Sequence, residues 1–211
     1  MTANVRRLDT ERLDMRFPVT HTFAAAVIML APIRIASDDL VAQPQSKLWV
    51  EGTSTIKAFE CAVPSFTISV KAAHDGAVSA VLAGAKGVRT VELTVPSAKI
   101  ECGNGTMNEH MRKSIKADEN PAIRFTLASY DVAKAGETVQ GTLRGALTLG
   151  GTQRPIDIAA VATDAGNGAM RIVGGYEVAL SEFSLERPSL MFGRIKVGDK
   201  VQVKFDFVFK N

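Results

Sequence analysis

Two cysteines, two histidines in the body of the chain and one pair of adjacent carboxylates are the residues whose types could carry chemistry. Cys61 and Cys102 form an even set without C-x-x-C spacing, and His74 and His110 are too few to complete a zinc site with them. A disulfide is the best reading of the pair, and two unrelated buried thiols are the alternative. His110 follows a helix-forming run and reads as a surface or hydrogen-bonded helix residue rather than a general base. His74 beside Asp75 reads as a turn. Asp118-Glu119, just ahead of Asn-Pro, solvates a helix exit more readily than it shares a proton. G-x-S-x-G, H-E-x-x-H and the phosphate-cradling G-x-x-x-x-G-K-[ST] are all absent. Asn104-Gly-Thr matches a glycosylation sequon, a three-residue pattern common by chance. The reading is a protein with no catalytic residues, no cofactor and no metal.

The apolar residues are more informative, and their spacing defines the elements that must position them. Asn104 to Phe125 reads as one short helix with a hard stop. Thr106 and Glu109 have capping-box spacing, Met107, Met111 and Ile115 share a face, and Pro121 ends the segment. Almost everything else alternates with period two. Strands begin at Leu48 and Ile56. Phe66, Ile68 and Val70 share one face, as do Val91, Leu93 and Val95, and a further strand is expected around Val78 to Leu82. Past the helix, Ile123, Phe125 and Leu127 point one way. So do Val139 to Leu149 at every second position, then Ile156, Ile158 and Ala160 beyond the Gly150-Gly151 turn. Met170 to Leu180 and Val201 to Phe209 repeat the pattern. Long strands with one apolar face each predict an all-β fold: a lipocalin-like closed antiparallel barrel of about eight strands with one short helix, a β-sandwich being the alternative. Gly141, Gly145, Gly174 and Gly175 fit the bends such closure needs.

A chain of 211 residues that is 46% hydrophobic supports one domain plus an N-terminal extension. A formal charge of +3, dispersed along the chain, excludes a dedicated nucleic-acid binder. Phe23 to Ile33 is an apolar run of 11 residues, too short to span a bilayer and suited to a signal peptide. The segment before Met15 carries Asp9, Glu11 and Asp14, and a start at Met15 would give a conventional leader. Residues 1–42 are therefore expected to direct export, with cleavage after Ser37 or Ala42, and 43–211 to form the barrel in the periplasm or outside the cell. No stable membrane span is expected in the mature chain, and the sequence sets no oligomeric state.

Four motifs in order carry a resemblance. Thr53-Ser-Thr-x-x-x-Phe59, Leu93-Thr-Val-Pro-Ser-Ala-Lys-Ile100, the run Met111 to Phe125, and Gly141-Thr-Leu-x-Gly-x-Leu-Thr-Leu-x-Gly-x-x-x-Pro155-Ile are similar to the signatures of the YceI-like, polyisoprenoid-binding family. From Val70 to Val91 the chain departs from the best-known members. It resembles instead a branch with the cysteine pair at 61 and 102 and the ending Met191 to Asp199. The resemblance implies a lipocalin-like barrel whose apolar tunnel takes an isoprenoid or another long-chain lipid, and no catalytic residues.

The expected function is then to sequester or carry such a lipid. By strand parity its tail would lie among Phe66, Phe125, Leu127, Leu147, Tyr176 and Phe205, with Met107, Met111 and Phe192 at the mouth. The alternatives are a ligand-free interaction or stress-protective module with a plugged barrel, and an enzyme acting on a lipid head group at the mouth through His110 or Asp118-Glu119.

Overall fold

Alternation of apolar and polar residues puts one face of each strand out of water, and closing the sheet on itself hides all those faces at once. A computed structural model describes residues 39–190 and 194–211. The expected leader through residue 38, and Phe192, lie outside the described residues. Eleven strands are present among the described residues: β1 (Asp39–Ala42), β2 (Lys47–Ser54), β3 (Ala58–Ala62), β4 (Thr67–Ala72), β5 (Val88–Pro96), β6 (Ala122–Ala135), β7 (Thr138–Leu149), β8 (Thr152–Gly166), β9 (Ala169–Ala179), β10 (Ser189–Leu190) and β11 (Ile195–Lys210). Two α-helices, α1 (Ala77–Leu82) and α2 (Gly105–Ser114), join them. Neighbouring strands run in the order β1-β4-β5-β6-β7-β8-β9-β11, and β1 pairs back onto β11, closing an antiparallel barrel of eight strands. β2 lies along β11 beyond β1, with Lys47 opposite Asp206, and folds into a hairpin with β3.

Three expectations change. The barrel begins at Asp39, ahead of the expected boundary at 43: Leu40 is buried and β1 is the strand that closes the sheet. The strand expected around Val78 to Leu82 is the helix α1, which adds a second helix to the one anticipated. Its Ala77, Val78 and Val81 recur at helical spacing and are all buried. Gly87 lets β5 approach the helix closely, since a Cβ there would meet the Ala77 carbonyl oxygen at 2.5 Å. Finally, α2 is capped by Asn104, whose side chain accepts from the Met107 N–H at 2.9 Å, while Glu109 pairs with Lys113 instead of closing a box with Thr106. The helix also stops before Pro121. Lys116 adopts the left-handed conformation at φ 52°, the Ala117 N–H donates to Arg112 O, and the Lys116 N–H donates to Lys113 O.

The helices cap opposite ends. α1 packs on β7, β8 and β9 where the β6–β7 and β8–β9 hairpins turn. α2 connects β5 to β6 at the other end, beside the Gly150-Gly151 turn, whose positive φ angles of 55° and 82° suit a two-residue hairpin. Cys61 and Cys102 form a disulfide, tying β3 to the segment ahead of α2 next to the Ala62–Glu101 bridge. At the helix's other end the Ser114 hydroxyl donates to Glu186 O.

Candidate functional site

Inside the barrel the inward faces do not meet. They enclose one cavity of about 250 Å³, reaching from Met111 and Ile115 of α2 to Val81 of α1. Its lining is aliphatic and aromatic throughout, with hydroxyls only on Tyr130 and Tyr176. The Tyr130 hydroxyl is committed to the backbone, accepting from Val88 N–H and donating to Val88 O. Tyr176 is half-buried and stands opposite Val203 of β11. Burial raises its phenol above the ordinary value, and the negative charges of Glu182, Asp157 and Glu177 add to the rise, so the ring is a neutral hydrogen-bonding group at physiological pH.

The room comes from small residues on one wall. Gly141 of β7, Ala160 of β8 and Gly174 of β9 stand side by side in register, and Phe205 of β11 follows opposite Gly174. The expectation that strand glycines serve bending gives way to a packing role at two of them. A Cβ on Gly145 would meet the Phe125 ring at 2.5 Å, and one on Gly174 would meet the Phe205 ring at 2.6 Å. Both rings therefore occupy the space that a side chain at the glycine would take. Phe205 also stacks on Phe207 at 5.0 Å, and Phe207 meets Phe209 edge-on at 6.1 Å.

Six of the nine residues singled out from the sequence line this cavity: Met111, Phe125, Leu127, Leu147, Tyr176 and Phe205. Phe66 and Met107 do not. Phe66 precedes β4 rather than lying in it, and its ring packs against Phe207 at 5.4 Å. Met107 sits one helical turn before Met111 and packs partly buried against the core. Sequence reasoning missed Val81, because its segment read as a strand. It also passed over the small residues Gly141 and Ala160 as contributors of space, a property visible only once register makes them neighbours.

The chemical candidates are elsewhere. His110 is on α2 and does not line the cavity, His74 is exposed with Nδ1 2.8 Å from Asp75 O, and Asp118 and Glu119 are exposed. Among the described residues no three His, Cys, Asp or Glu side chains are placed to hold a metal ion, and no helix is long and apolar enough to cross a membrane.

The profile of the YceI-like domain matches residues 41–209, which is nearly the whole barrel. The chain belongs to the YceI-like family. No curated protein matches the sequence. Solved structures similar to it include BcnA of Burkholderia cenocepacia, at 19% identity and a TM-score of 0.59, covering 77% of this chain and 95% of that one. A polyisoprenoid binding domain from Saccharophagus degradans, implicated in plant cell wall breakdown, shows 14% identity and a TM-score of 0.59 over 82% of this chain and 97% of its own. The YceI protein of Campylobacter jejuni shows 16% identity and a TM-score of 0.54 over 69% and 81%. At these identities the likeness is one of fold. Family membership and barrel agree with the resemblance read from the four motifs.

Proposed function

We propose that this protein binds a polyisoprenoid or similar long-tailed lipid inside its barrel, and that it does so after export, in the periplasm or outside the cell. The observation that carries the reading is the apolar cavity itself. Burial of an aliphatic tail is worth about 25 cal/mol per Å2 of apolar surface, and the lining has no polar group that a tail would have to displace from a partner. The cavity is slender. Between Val139 and Leu149 the wall runs about 33 Å along β7, or about 25 Å along a barrel axis tilted some 40° from the strands. Spread over that length, 250 Å³ is a single-file slot, suited to one chain rather than two tails or a fused ring system. The same geometry supports a binding role, because the titratable candidates named from the sequence stand apart from the lumen. The disulfide suits an oxidising compartment.

Native mass spectrometry of the protein purified from its exported fraction, followed by organic extraction, tests the reading. An extractable added mass of several hundred daltons supports it. An apo mass with no uptake of added farnesol or longer prenols refutes it and favours the ligand-free module.

A further inference from the structure

We propose that the tip of the β2–β3 hairpin, together with the start of β11 beside it, is a docking surface for an anionic lipid bilayer. Ile56 enters the bilayer surface while Lys57, Arg194 and Lys196 meet its head groups. The inference does not depend on what the lumen holds.

β11 begins at Ile195, whereas its first pair with β9 is Lys200 opposite Ala179. The start of β11 therefore runs on past β9, with β2 paired to it as far as Ser54 opposite Val197. The turn beyond Ser54 is firmly held. The Ser54 hydroxyl accepts from the Ile56 and Lys57 N–H groups at 3.3 and 3.2 Å. The Thr55 N–H donates to Lys196 O at 3.0 Å, and its hydroxyl donates to Arg194 O at 3.3 Å. These bonds tie the turn that carries Ile56 to the backbone of the two basic residues.

Ile56 has no packing task at this tip. At 67% it is the most exposed large hydrophobic residue among the described residues. Nor does the turn call for it. The other hairpin turns are made by Gly136-Glu137, Gly150-Gly151 and Asn167-Gly168, the polar and flexible residues that turns favour. The charges around Ile56 are of one sign. Residues 54–58 and 194–198 contain Lys57, Arg194 and Lys196 and no carboxylate. Further along β11, Lys200 is paired with Glu177 at 2.6 Å and Lys204 with Glu51 at 2.7 Å. Lys57, Arg194 and Lys196 are exposed, and none has such a partner among the described residues. Asp199, the next carboxylate along the chain, is taken by the N–H and hydroxyl of Ser181, at 3.0 and 2.6 Å. An exposed aliphatic side chain among unpaired cations is complementary to apolar chains behind anionic head groups.

Cosedimentation of the purified protein with vesicles of phosphatidylcholine, and of an equal mixture with phosphatidylglycerol, tests the assignment. Binding is expected to the mixed vesicles alone, and it weakens as salt is raised. Each cation at an anionic surface strengthens binding about fivefold, so Lys57→Gln combined with Lys196→Gln should weaken it about 25-fold. Ile56→Ser removes the apolar contact, keeps the charges and should weaken binding about tenfold. All three side chains are exposed, and an unchanged melting temperature shows that the variants fold. Failure of the wild type to bind the mixed vesicles overturns the proposal. So does equal binding to the neutral vesicles, or binding that either folded variant leaves unchanged. Sedimentation velocity separates the remaining occupant: a dimer that Ile56→Ser dissolves assigns the tip to a second copy of this chain and overturns the bilayer.

Discussion

Gly174→Ala is the substitution whose outcome the packing fixes most sharply. Its backbone is not in the left-handed region, so an alanine is conformationally acceptable there and would by itself stabilise the strand by about 0.5–1 kcal/mol. Space opposes this. The new Cβ would stand 2.6 Å from Ala159 O, 2.6 Å from the Phe205 ring and 3.0 Å from the Ala160 Cβ. The ring could swing, but the carbonyl oxygen belongs to a strand paired on both sides and cannot. Overpacking of this kind costs about 1–3 kcal/mol, so the net expectation is a loss of about 1–2 kcal/mol. For a domain of this size that lowers the melting temperature by about 2–8 °C. Phe205 lines the cavity, so a displaced ring enters the lumen and weakens binding of an alkanol probe. The assay is a thermal melt and a titration of the single variant, then of Gly174→Ala combined with Phe205→Leu. The double variant should lose at least about 0.5 kcal/mol less than the sum of the singles, because the smaller side chain relieves one of the two clashes. A Gly174→Ala protein as stable as the parent, with unchanged binding, refutes the claim that the ring is seated on this glycine.

Replacing Cys61 and Cys102 together with alanine should lower stability by up to about 4 kcal/mol on chain entropy alone for a sequence separation of 41, measured by denaturant titration. A chain beginning at Ser37 should fold with a closed barrel, whereas one beginning at Gln43 loses β1 and its pairing to β4 and β11, read as a lower melting temperature. Leu40→Ala in the longer chain should cost about 2–5 kcal/mol. Asp206 is held below the ordinary carboxylate value of 3.8 chiefly by the hydrogen bond from Arg171. Its contribution is therefore complete above that value and lost as the pH falls below it, so Arg171→Gln should flatten the acid limb of the stability–pH curve while leaving its shape near neutrality unchanged.

Strand parity made most of the wall legible, because a period of two survives even where boundaries shift. Every second residue of Val139 to Leu149 and of Met170 to Leu180 faces inward as read, and β11 carries its phenylalanines in the same way. α1 was not legible as a helix. Ala-Val-Ser-Ala-Val-Leu is one run of small and apolar residues, six positions long, where the two periodicities cannot be told apart. The four residues of β1 were hidden by their nearness to the apolar run expected to direct export. Phe66 stands one residue outside its strand and packs its ring on Phe207, a contact that parity alone does not predict. At α2, Asn104 and Thr106 are both competent caps two residues apart, and the fold selects Asn104. Conversely the disulfide was legible from an even pair of cysteines that lacks the spacing and the histidine partners of a metal site.

The cavity is expensive for a barrel with nothing to hold. At about 24 cal/mol per Å³ of unfilled volume, 250 Å³ represents about 6 kcal/mol of forgone packing, against a typical total stability of about 5–15 kcal/mol. Filling it would be simple. Valine at Gly141 or leucine at Ala160 would project into the space, since a Cβ on Gly141 meets nothing closer than 3.4 Å. Yet the row Gly141, Ala160, Gly174 stays small, and at Gly145 and Gly174 the rings of Phe125 and Phe205 take up the space a side chain would fill. A plugged interaction module gains nothing from this arrangement. A carrier does, because a guest that restores the missing contacts turns the standing deficit into binding free energy, and the folded state is then most stable when loaded.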